Sequence, residues 1–309
     1  MKLLYLSLLS FVFISSAALA LAEVDNFIQS NDIRPKKDFP ALPVIAKNAS
    51  FPIISAQAAL AVDLDSRVSL YEKNPDSPLL PASTTKIITA LVALEYYPLD
   101  LVLKVHEVKI DGQKMGLVKG ERITVESLLY GLLVYSANDA AEVLAENFPA
   151  SPAGGPGGRD LFIAAMNIKA KELNLSHSRF NNPTGLDGNG HVSTARDLIL
   201  VSEVAMRDPV FAKIVGTKQI IVKSIDGKVV HNLRNINELL GSVEGVLGVK
   251  TGWTENAREN LVTYLERDGK KIMIVLLGSQ DRFGETTELI DWIFANYTWQ
   301  EVSPPFYSP

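Results

Sequence analysis

Residues 246–278 read VLGVKTGWTENARENLVTYLERDGKKIMIVLLG, and this stretch decides the fold that we predict. It contains three runs rich in β-branched and other apolar residues, a composition typical of strands: Val246–Lys250, Asn260–Glu266 and Lys271–Gly278. Asp268-Gly269 separates the last two runs, and this dipeptide favours the tight turn of a hairpin. The stretch therefore predicts neighbouring antiparallel strands in the C-terminal part of the chain.

More strand signals lie on the N-terminal side of this stretch. Lys218–Ile225 and Lys228–Asn232 flank the turn dipeptide Asp226-Gly227, which predicts a second hairpin. Far earlier in the chain, Gln57–Asp63 and Arg67–Glu72 predict a third. Strands are therefore expected in both the first and the last part of the chain.

The residues between these strand groups have the spacing of helices. Apolar positions recur at helical intervals in several segments, which are Ser83–Glu95, Val125–Leu133, Ala140–Asn147, Leu161–Leu173 and Ser193–Met206. Thr286–Tyr297 predicts a closing amphipathic helix. Strands at both ends with helices between them predict one α+β domain, in which both strand groups join a single antiparallel sheet.

Composition restricts the classes of function. Of the 309 residues, 47% are apolar and 21% are charged, which is ordinary for a globular protein. The formal net charge of −5 and the lack of a Lys/Arg-rich stripe argue against a nucleic-acid partner. Cysteine is absent, which excludes disulfides, thiolate catalysis and cysteine-bound metals. The histidines show no H-E-x-x-H spacing, which argues against a metallopeptidase; they are His106, His177, His191 and His231.

The N-terminal segment indicates export. Lys2 precedes the uncharged apolar run Leu3–Ala22, which ends in the small-residue pattern Ala20-Leu21-Ala22. Residues 1–22 therefore resemble a cleaved signal peptide, although an apolar run of about 20 residues also fits an uncleaved membrane anchor. Both interpretations place the rest of the chain outside the cytoplasm. Residues 23–50 are polar and broken by prolines, which predicts an extended linker.

Ser83-Thr84-Thr85-Lys86 is the first candidate for chemistry. Residues three apart on a helix share a face, so the Ser83 hydroxyl and the Lys86 amine can meet. A lysine base needs its pKa lowered from about 10.4 towards 7, which burial or a second cation can provide. The simpler interpretation is that Ser83 is a helix N-cap. A near match, Ser69 to Lys73, has one residue too many and lies in a strand-like run.

Two further short motifs could complete a site. Ser136-Ala137-Asn138 lies in a turn between predicted helices, where it could face a cleft or merely cap the next helix. Lys250-Thr251-Gly252 lies at the end of the strand predicted at Val246–Lys250. There a strand would hold the lysine and threonine rigidly, and the glycine would let a substrate backbone approach closely. This motif could supply the second cation, unless Lys250 is only an edge-strand lysine.

In this order, the three motifs resemble the active-site set of penicillin-recognising serine enzymes: S-x-x-K on a helix, S-x-N in a loop and K-T-G on a strand. The segments Phe180–Asp187 and Gly190–Asp197 resemble the loop-and-helix signature of low-molecular-mass D-alanyl-D-alanine carboxypeptidases, and Pro81–Lys86 has the form that this family uses. The resemblance runs from about Ala56 to Tyr297. It implies a β-lactamase/transpeptidase-like α+β fold, with a five-stranded antiparallel sheet flanked by helices and an all-helical subdomain. We expect the enzyme domain at residues 51–297, followed by a tail at 298–309.

The resemblance also implies catalytic roles. Ser83 would be the acylated nucleophile and Lys86 its base, while Ser136 would relay a proton to the leaving amine. Asn138 would hold the peptide and orient Lys86, and Lys250 would supply positive potential. The implied enzyme is a serine D-alanyl-D-alanine carboxypeptidase that removes the terminal D-alanine of peptidoglycan stem peptides without a cofactor. β-Lactams would be its covalent inhibitors.

Substrate contacts are implied in the same way. Thr251, next to Gly252 of the K-T-G, would bind the terminal carboxylate of the peptide. Arg282, ahead of the closing helix, would steady the same carboxylate, although a solvated loop arginine is the simpler interpretation. The backbone N–H groups of Ser83 and Trp253 would form the oxyanion hole.

The sequence departs from the family in two places. Ala257-Arg258 stands where the family usually has Ala-Gly, so the Arg258 side chain would either narrow the cleft rim or point to solvent. The second β-domain and the C-terminal amphipathic helix that many members carry have no counterpart in this sequence. We therefore expect membrane association through the N-terminal segment only.

Other functions use related chemistry. A class A β-lactamase needs a glutamate that activates water, and Glu172-Leu173-Asn174 has the wrong spacing for it. A D,D-endopeptidase or a transpeptidase would use the same serine on a different peptide or acceptor. A non-catalytic wall-binding or sensor protein would not need Lys86.

Overall fold

Strands from both ends of the chain build the central sheet in the computed structural model, which describes residues 39–107, 109–150 and 157–302. In chain order the strands are β1 (Leu42–Ile45), β2 (Ala58–Asp63), β3 (Ser69–Lys73), β4 (Val102–Lys104), β5 (Arg122–Thr124), β6 (Gln219–Lys223), β7 (Val230–Arg234), β8 (Val246–Thr254), β9 (Arg258–Arg267), β10 (Lys270–Ser279) and β11 (Tyr297–Gln300). Five of them form one antiparallel sheet in the order β3–β2–β10–β9–β8. The predicted union of the two strand groups is confirmed.

The helices surround this sheet. They are α1 (Lys86–Tyr96), α2 (Val125–Val134), α3 (Asn138–Glu146), α4 (Arg159–Glu172), α5 (Ala195–Arg207), α6 (Pro209–Val215) and α7 (Arg282–Asn296), and a 3₁₀ turn at Ala82–Thr85 leads into α1. Helices α1 to α4 pack against one another beside the sheet. They form the helical subdomain that the family resemblance implied.

Both faces of the sheet are covered, which explains why its central strands read as continuous apolar runs. Along β10, Met273, Val275 and Leu277 join the large core formed with the helical subdomain. The alternate residues Ile274 and Leu276 pack in a second core with α7. This alternation follows from the two-residue repeat of a strand. Helix α5 lies on β2 and β10, while α7 lies on β9 and β10.

Two predicted boundaries are wrong in ways that affect the site. The K-T-G motif was expected at the end of a strand, but β8 continues to Thr254 because Thr251 and Trp253 pair with Leu261 and Glu259 of β9. The closing helix was expected to begin at Thr286. It begins instead at Arg282, because the Asp281 side chain accepts a hydrogen bond from Gly284 N and caps it.

The remaining strands form short ribbons outside the main sheet. β6 and β7 form the predicted hairpin, which is a two-stranded sheet separate from the main one. β4 and β5 were not predicted, since each has only three residues. Helix α6 was also missed, although Asp208 followed by Pro209 is a helix-start signal.

A ribbon of β1 and β11 joins the two ends of the compact unit Ala41–Gln300. β1 falls inside the segment predicted as linker, and β11 runs from the last residue of the predicted domain into the predicted tail, so the compact unit extends beyond residues 51–297 at both ends. The predicted signal segment lies outside the described residues. Within the described ranges, no helix has both the length and the apolar character needed to cross a membrane.

Candidate active site

The predicted residues converge on one cleft of about 450 Å³ between the helical subdomain and the edge strand β8. Most of them line its wall: Ser83, Ser136, Asn138, Thr251, Gly252, Trp253 and Arg282. Lys86 and Lys250 lie behind this wall and are almost completely buried. Three segments far apart in the sequence therefore meet around one serine.

Ser83 and Lys86 are in direct contact. The 3₁₀ turn and the first residue of α1 place Lys86 Nζ 2.9 Å from Ser83 Oγ. Lys86 Nζ also donates to Asn138 Oδ1 at 2.6 Å and to the Thr184 carbonyl at 2.5 Å. Neither of these oxygens can donate a hydrogen bond. When the amine is neutral, its two hydrogens are therefore held by them and its lone pair is left for the hydroxyl of Ser83.

Burial makes the neutral amine accessible near neutral pH. It lowers the pKa of Lys86 to about 7, and the carboxylates of Asp139 and Glu142 oppose this shift only in part. We expected burial or a second cation to cause the shift, and burial is the main cause. Burial also lowers the pKa of Lys250 well below its ordinary value, with Lys86 and Arg282 adding to the effect.

Ser136 is held beside the second lysine. Lys250 Nζ donates to Ser136 Oγ at 2.8 Å and to its neighbour's carbonyl, Thr251 O, at 2.9 Å. Ser136 has a φ of 62°, a conformation that residues other than glycine rarely adopt. Ser136 is not a helix cap, because the N-cap of α3 is Ala137 and no side chain caps that helix. The same is true of Ser83, since Pro81 and Thr85 are the N-cap residues there.

Asn138 links the first lysine to a loop on the far side of the cleft. Its Oδ1 accepts from Lys86, and its Nδ2 donates to the Asp111 carbonyl at 2.7 Å. A Cβ on Gly112 would lie 2.8 Å from that Nδ2, so only glycine fits next to Asp111. The amide therefore has a fixed orientation and can position the amine of Lys86.

Two glycines let distant backbone segments reach the serine. A Cβ on Gly252 would lie 3.0 Å from Ser83 N, so β8 approaches the start of the 3₁₀ turn as closely as glycine allows. A Cβ on Gly185 would overlap the Ala82 carbonyl on the other side. Ser83 N and the backbone at Trp253 thus lie at the same wall of the cleft, as an oxyanion hole requires. The Trp253 side chain is 62% exposed at the rim.

Arg282 reaches the same wall from the start of α7. Its Nη1 donates to the Gly252 carbonyl at 3.1 Å, and its guanidinium lies over the Phe283 ring. Burial lowers the pKa of Arg282 from its ordinary value, and Glu259 and Glu238 oppose that shift. The alternative of a solvated loop arginine therefore does not describe this residue.

Some residues that hold the site were not predicted. Asp187 accepts hydrogen bonds from Thr254 Oγ1 at 2.8 Å and Asn256 Nδ2 at 2.9 Å, and so fixes the turn between β8 and β9. Asn260 donates to the Leu80 carbonyl at 2.9 Å and thereby ties β9 to the segment before Ser83. Asp187 belongs to the family signature in the sequence, but its letter alone did not reveal this contact.

His191 has the structural role that its buried position implies. Its Nδ1 accepts from Asn181 N at 3.0 Å, so the proton is on Nε2, which faces Thr85 Oγ1 at 2.9 Å. Burial lowers the pKa of His191 to about 4, and Asp187 opposes this shift. The residue therefore ties the loop after α4 to the turn that carries Ser83, in its neutral form.

The discarded candidates lie away from the cleft. Lys73 Nζ donates to the Ile54 carbonyl at 2.7 Å on the sheet. Glu172, considered for a β-lactamase, forms an exposed ion pair with Lys169. The Arg258 side chain points to solvent rather than into the cleft rim. No cluster of metal-binding side chains occurs among the described residues.

Comparisons with known proteins agree with this geometry. Residues 45–281 match a family profile described as D-alanyl-D-alanine carboxypeptidase. The chain is 34% identical over 260 residues to the D-alanyl-D-alanine carboxypeptidase DacB2 of Mycobacterium tuberculosis, a match that covers 81% of this chain and 86% of that protein. It is 32% identical over 257 residues to a D-alanyl-D-alanine endopeptidase of Escherichia coli, with 80% of each chain covered. The crystal structure of the Streptomyces K15 DD-transpeptidase superimposes with a TM-score of 0.74 and 31% identity, covering 80% of this chain and 100% of that one.

Proposed function

The chain belongs to the D-alanyl-D-alanine carboxypeptidase family, and we propose that it removes the terminal D-alanine of peptidoglycan stem peptides through an acyl-enzyme on Ser83. One observation carries this proposal. The Lys86 amine lies 2.9 Å from Ser83 Oγ while two fixed oxygens hold its other hydrogens. A base in reach of a serine hydroxyl is the requirement for nucleophilic catalysis.

The first half of the reaction forms the acyl-enzyme. Ser83 Oγ attacks the carbonyl carbon of the penultimate D-alanine, and the hydroxyl proton moves to Lys86. The oxygen of the tetrahedral intermediate is stabilised by the N–H groups of Ser83 and Trp253. The bond between this carbon and the amide nitrogen then breaks, which leaves an ester on Ser83.

The leaving amine needs a proton, and Ser136 is placed to deliver it. Its Oγ accepts from the buried Lys250, which supports the passage of a proton from the lysine side of the cleft through the hydroxyl. Thr251 and Arg282 bind the carboxylate of the departing D-alanine. A water molecule then hydrolyses the ester and restores Ser83.

We also propose that the protein works outside the cytoplasm and that β-lactams acylate the same serine. The apolar segment Leu3–Ala22 supports export, and the cleft that accepts a D-alanyl-D-alanine end would accept the β-lactam ring in its place.

Labelling with a fluorescent penicillin tests the proposal. Wild-type protein should be labelled and Ser83→Ala should not, while Lys86→Ala should be labelled at least about a hundredfold more slowly, as expected for loss of a general base. Lys73→Ala is the matched control, because Lys73 lies on the sheet and follows a serine at nearly the same spacing. Release of D-alanine from a pentapeptide should respond in the same way. Equal labelling of wild type and Ser83→Ala would contradict the mechanism.

A further inference from the structure

A histidine and a glutamate are buried together behind the wall of the cleft. The side chains of His231, in β7, and Glu121, just before β5, are 3% and 0% exposed, and neither lines the cleft. His231 Nε2 lies 2.8 Å from Glu121 Oε1, and His231 Nδ1 lies 3.0 Å from the Met115 carbonyl oxygen. Ionisable side chains are seldom buried so completely unless they are paired. The proposed reaction has so far given these two residues no role.

The hydrogen bonds of this pair require two hydrogens on or beside the imidazole ring. The Met115 carbonyl can only accept, so His231 Nδ1 carries a hydrogen. A second hydrogen lies between Nε2 and the Glu121 carboxylate, because two lone pairs facing each other would repel. The other carboxylate oxygen, Glu121 Oε2, accepts from Val118 N at 3.0 Å. The pair therefore binds the segment 115–118 at both of its ends.

Asp139 holds the same segment from helix α3. Its buried carboxylate accepts hydrogen bonds from three consecutive backbone N–H groups, at 3.0 Å from Met115, 2.9 Å from Gly116 and 3.0 Å from Leu117. Asp139 follows Asn138 directly in the chain. The segment is thus tied both to the start of the helix that carries Asn138 and to the His231–Glu121 pair.

The residues just before this segment contact Asn138 itself. The Gln113 carbonyl accepts from Asn138 N at 2.7 Å, and the Asp111 carbonyl accepts from Asn138 Nδ2 at 2.7 Å. Asn138 Oδ1 in turn accepts from Lys86 Nζ at 2.6 Å. Because Met115 is only two residues from Gln113, a displacement of its carbonyl would also move the groups that orient the Asn138 amide.

We propose that His231 and Glu121 are positioning residues that fix the segment 111–118 and thereby hold Asn138 against the Lys86 amine. This proposal rests on the proposed function. The Lys86 amine donates to other groups than the pair, so the pair acts on the reaction only through this segment. Small displacements of a positioned catalytic group can slow a reaction by up to about a hundredfold.

Replacements of the pair separate its hydrogen bonds from its charge. In Glu121→Gln every hydrogen bond can be kept: the amide oxygen accepts from Val118 N and the amide nitrogen donates to His231 Nε2. The imidazole then keeps its Nδ1 hydrogen for the Met115 carbonyl. The double variant Glu121→Leu/His231→Phe removes all of these bonds. It leaves no unpaired charge in the core, so that the chain can still fold.

Two further variants complete the set. His231→Gln keeps a donor for the Glu121 carboxylate but has no second donor for the Met115 carbonyl, so it carries the same prediction if the double variant does not fold. Tyr97→Phe is the matched control. It removes a buried hydrogen bond of 2.7 Å to the Leu144 carbonyl in α3, but it leaves the segment 111–118 untouched.

The experiment measures kcat and KM for release of D-alanine from a pentapeptide, the rate of penicillin acylation, and hydrogen exchange at residues 111–118. In the double variant, kcat and the acylation rate should fall about tenfold or more, while exchange becomes faster. KM should rise by less than about threefold, because Thr251 and Arg282 would hold the substrate carboxylate from other elements. Glu121→Gln and Tyr97→Phe should keep kcat within about threefold of wild type.

The outcomes distinguish this proposal from the proposed function. An active wild type with a double variant whose kcat lies within about twofold of it would overturn the positioning role alone. A loss of kcat without faster exchange at residues 111–118 would overturn it too, and so would a tenfold loss in Glu121→Gln, which keeps the hydrogen bonds. If wild type neither releases D-alanine nor is acylated, the proposed function fails and this proposal fails with it.

Discussion

Two residues at the cleft and one outside it hold a backbone conformation that glycine adopts more easily. The φ angles are 47° for Ala82, 62° for Ser136 and 59° for Arg258. Such residues cost on the order of 1–3 kcal/mol each and cluster at functional sites. Ala82 precedes Ser83, and Ser136 accepts a hydrogen bond from Lys250, so the strain of these two residues lies at the proposed site. Arg258 is exposed at the start of β9 and touches none of those groups.

Arg258→Gly should therefore stabilise the protein slightly. Relief of the left-handed strain is worth about 1–2 kcal/mol and the greater freedom of glycine in the unfolded chain costs about 0.5–1, for a net gain of about 0.5–1 kcal/mol. Urea unfolding measures the gain, and the rate of penicillin labelling should not change. Arg122→Gly in β5, where φ is not positive, should destabilise instead. A loss of stability in Arg258→Gly would show that its side chain has a role beyond solvation.

The titration of Lys86 predicts the pH dependence of acylation. Only the neutral amine accepts the Ser83 proton, and burial lowers its pKa to about 7. The rate of penicillin acylation should thus rise about tenfold per pH unit below that value and level off above it. Stopped-flow labelling between pH 5 and 9 measures this, with Lys73→Met as a control that keeps the profile. A flat profile over that range would contradict Lys86 as the base.

At the scale of elements, the site depends on one loop that supports two neighbours. Residues 181–187 supply the carbonyl of Thr184 to Lys86, and Asp187 holds the turn between β8 and β9. His191 then connects Asn181 in this loop with Thr85 in the turn that carries the nucleophile. A single loop thus positions the base, the nucleophile and the strand beside them.

Asp187→Ala should loosen the β8–β9 turn. It removes the acceptor of two side-chain hydrogen bonds, so penicillin acylation should slow by about tenfold while the global stability falls by only about 1–2 kcal/mol. Hydrogen exchange at residues 253–257 should increase. Asp226→Ala is the matched control, since Asp226 also accepts hydrogen bonds in a hairpin turn, but far from the cleft. If hydrogen exchange at residues 253–257 were equally fast in Asp187→Ala and Asp226→Ala, the supporting role of Asp187 would be contradicted.

His191 predicts the acid limit of stability. Burial lowers the pKa of His191 to about 4 in the folded protein, whereas the same side chain has a pKa near 6.5 in the unfolded chain. Between these values the unfolded state binds more protons, so stability should fall as the pH drops from 6.5 towards 4, by up to roughly 3 kcal/mol. Denaturant unfolding at several pH values measures the slope, which His191→Gln should reduce. An unchanged slope in that variant would assign the acid sensitivity to other groups.

The sequence predicted which side chains would lie together at the cleft better than the elements that hold them. Ser83, Lys86 and Lys250 could be proposed from the sequence because their chemistry depends on side-chain type and spacing, and their catalytic roles stay a prediction. The acceptors Thr184 O and Asp111 O were not, since every residue has a carbonyl and only folding selects which one is used. The strand at Lys250 was predicted too short, because pairing with β9 extends it through Gly252.

On the scale of the whole molecule, the strongly patterned parts of the fold were predictable. Central strands and long helices carry their own periodicity, which predicted one antiparallel sheet joining both strand groups. The number of strands in that sheet was implied by the family resemblance. The ribbon of β1 and β11 has only four residues in each strand, and each finds its partner at the opposite end of the compact unit. No local pattern marks such a pair.

That ribbon should contribute to global stability. Trp299 donates to Asp63 Oδ2 at 2.8 Å, lies near Phe294, and has Lys270 over its ring. Trp299→Ala should therefore cost about 2–3 kcal/mol by thermal or urea unfolding, less than a fully buried aromatic would. Leu42→Ala, at an exposed position of β1, is the control and should change stability by less than about 0.5 kcal/mol. If Trp299→Ala and Leu42→Ala lowered the stability by the same amount, Trp299 would not anchor the ribbon to the sheet.

Ser83 lies between the backbones of Gly185 and Gly252, which come from two segments far from it and from each other in the sequence. In the proposed mechanism Ser83 therefore becomes reactive only once both segments have docked, since a partly assembled polypeptide lacks one of the two walls. Titration with a tagged penicillin would then measure the number of correctly assembled molecules in a preparation, whatever the total protein concentration, because each such molecule would bind one tag.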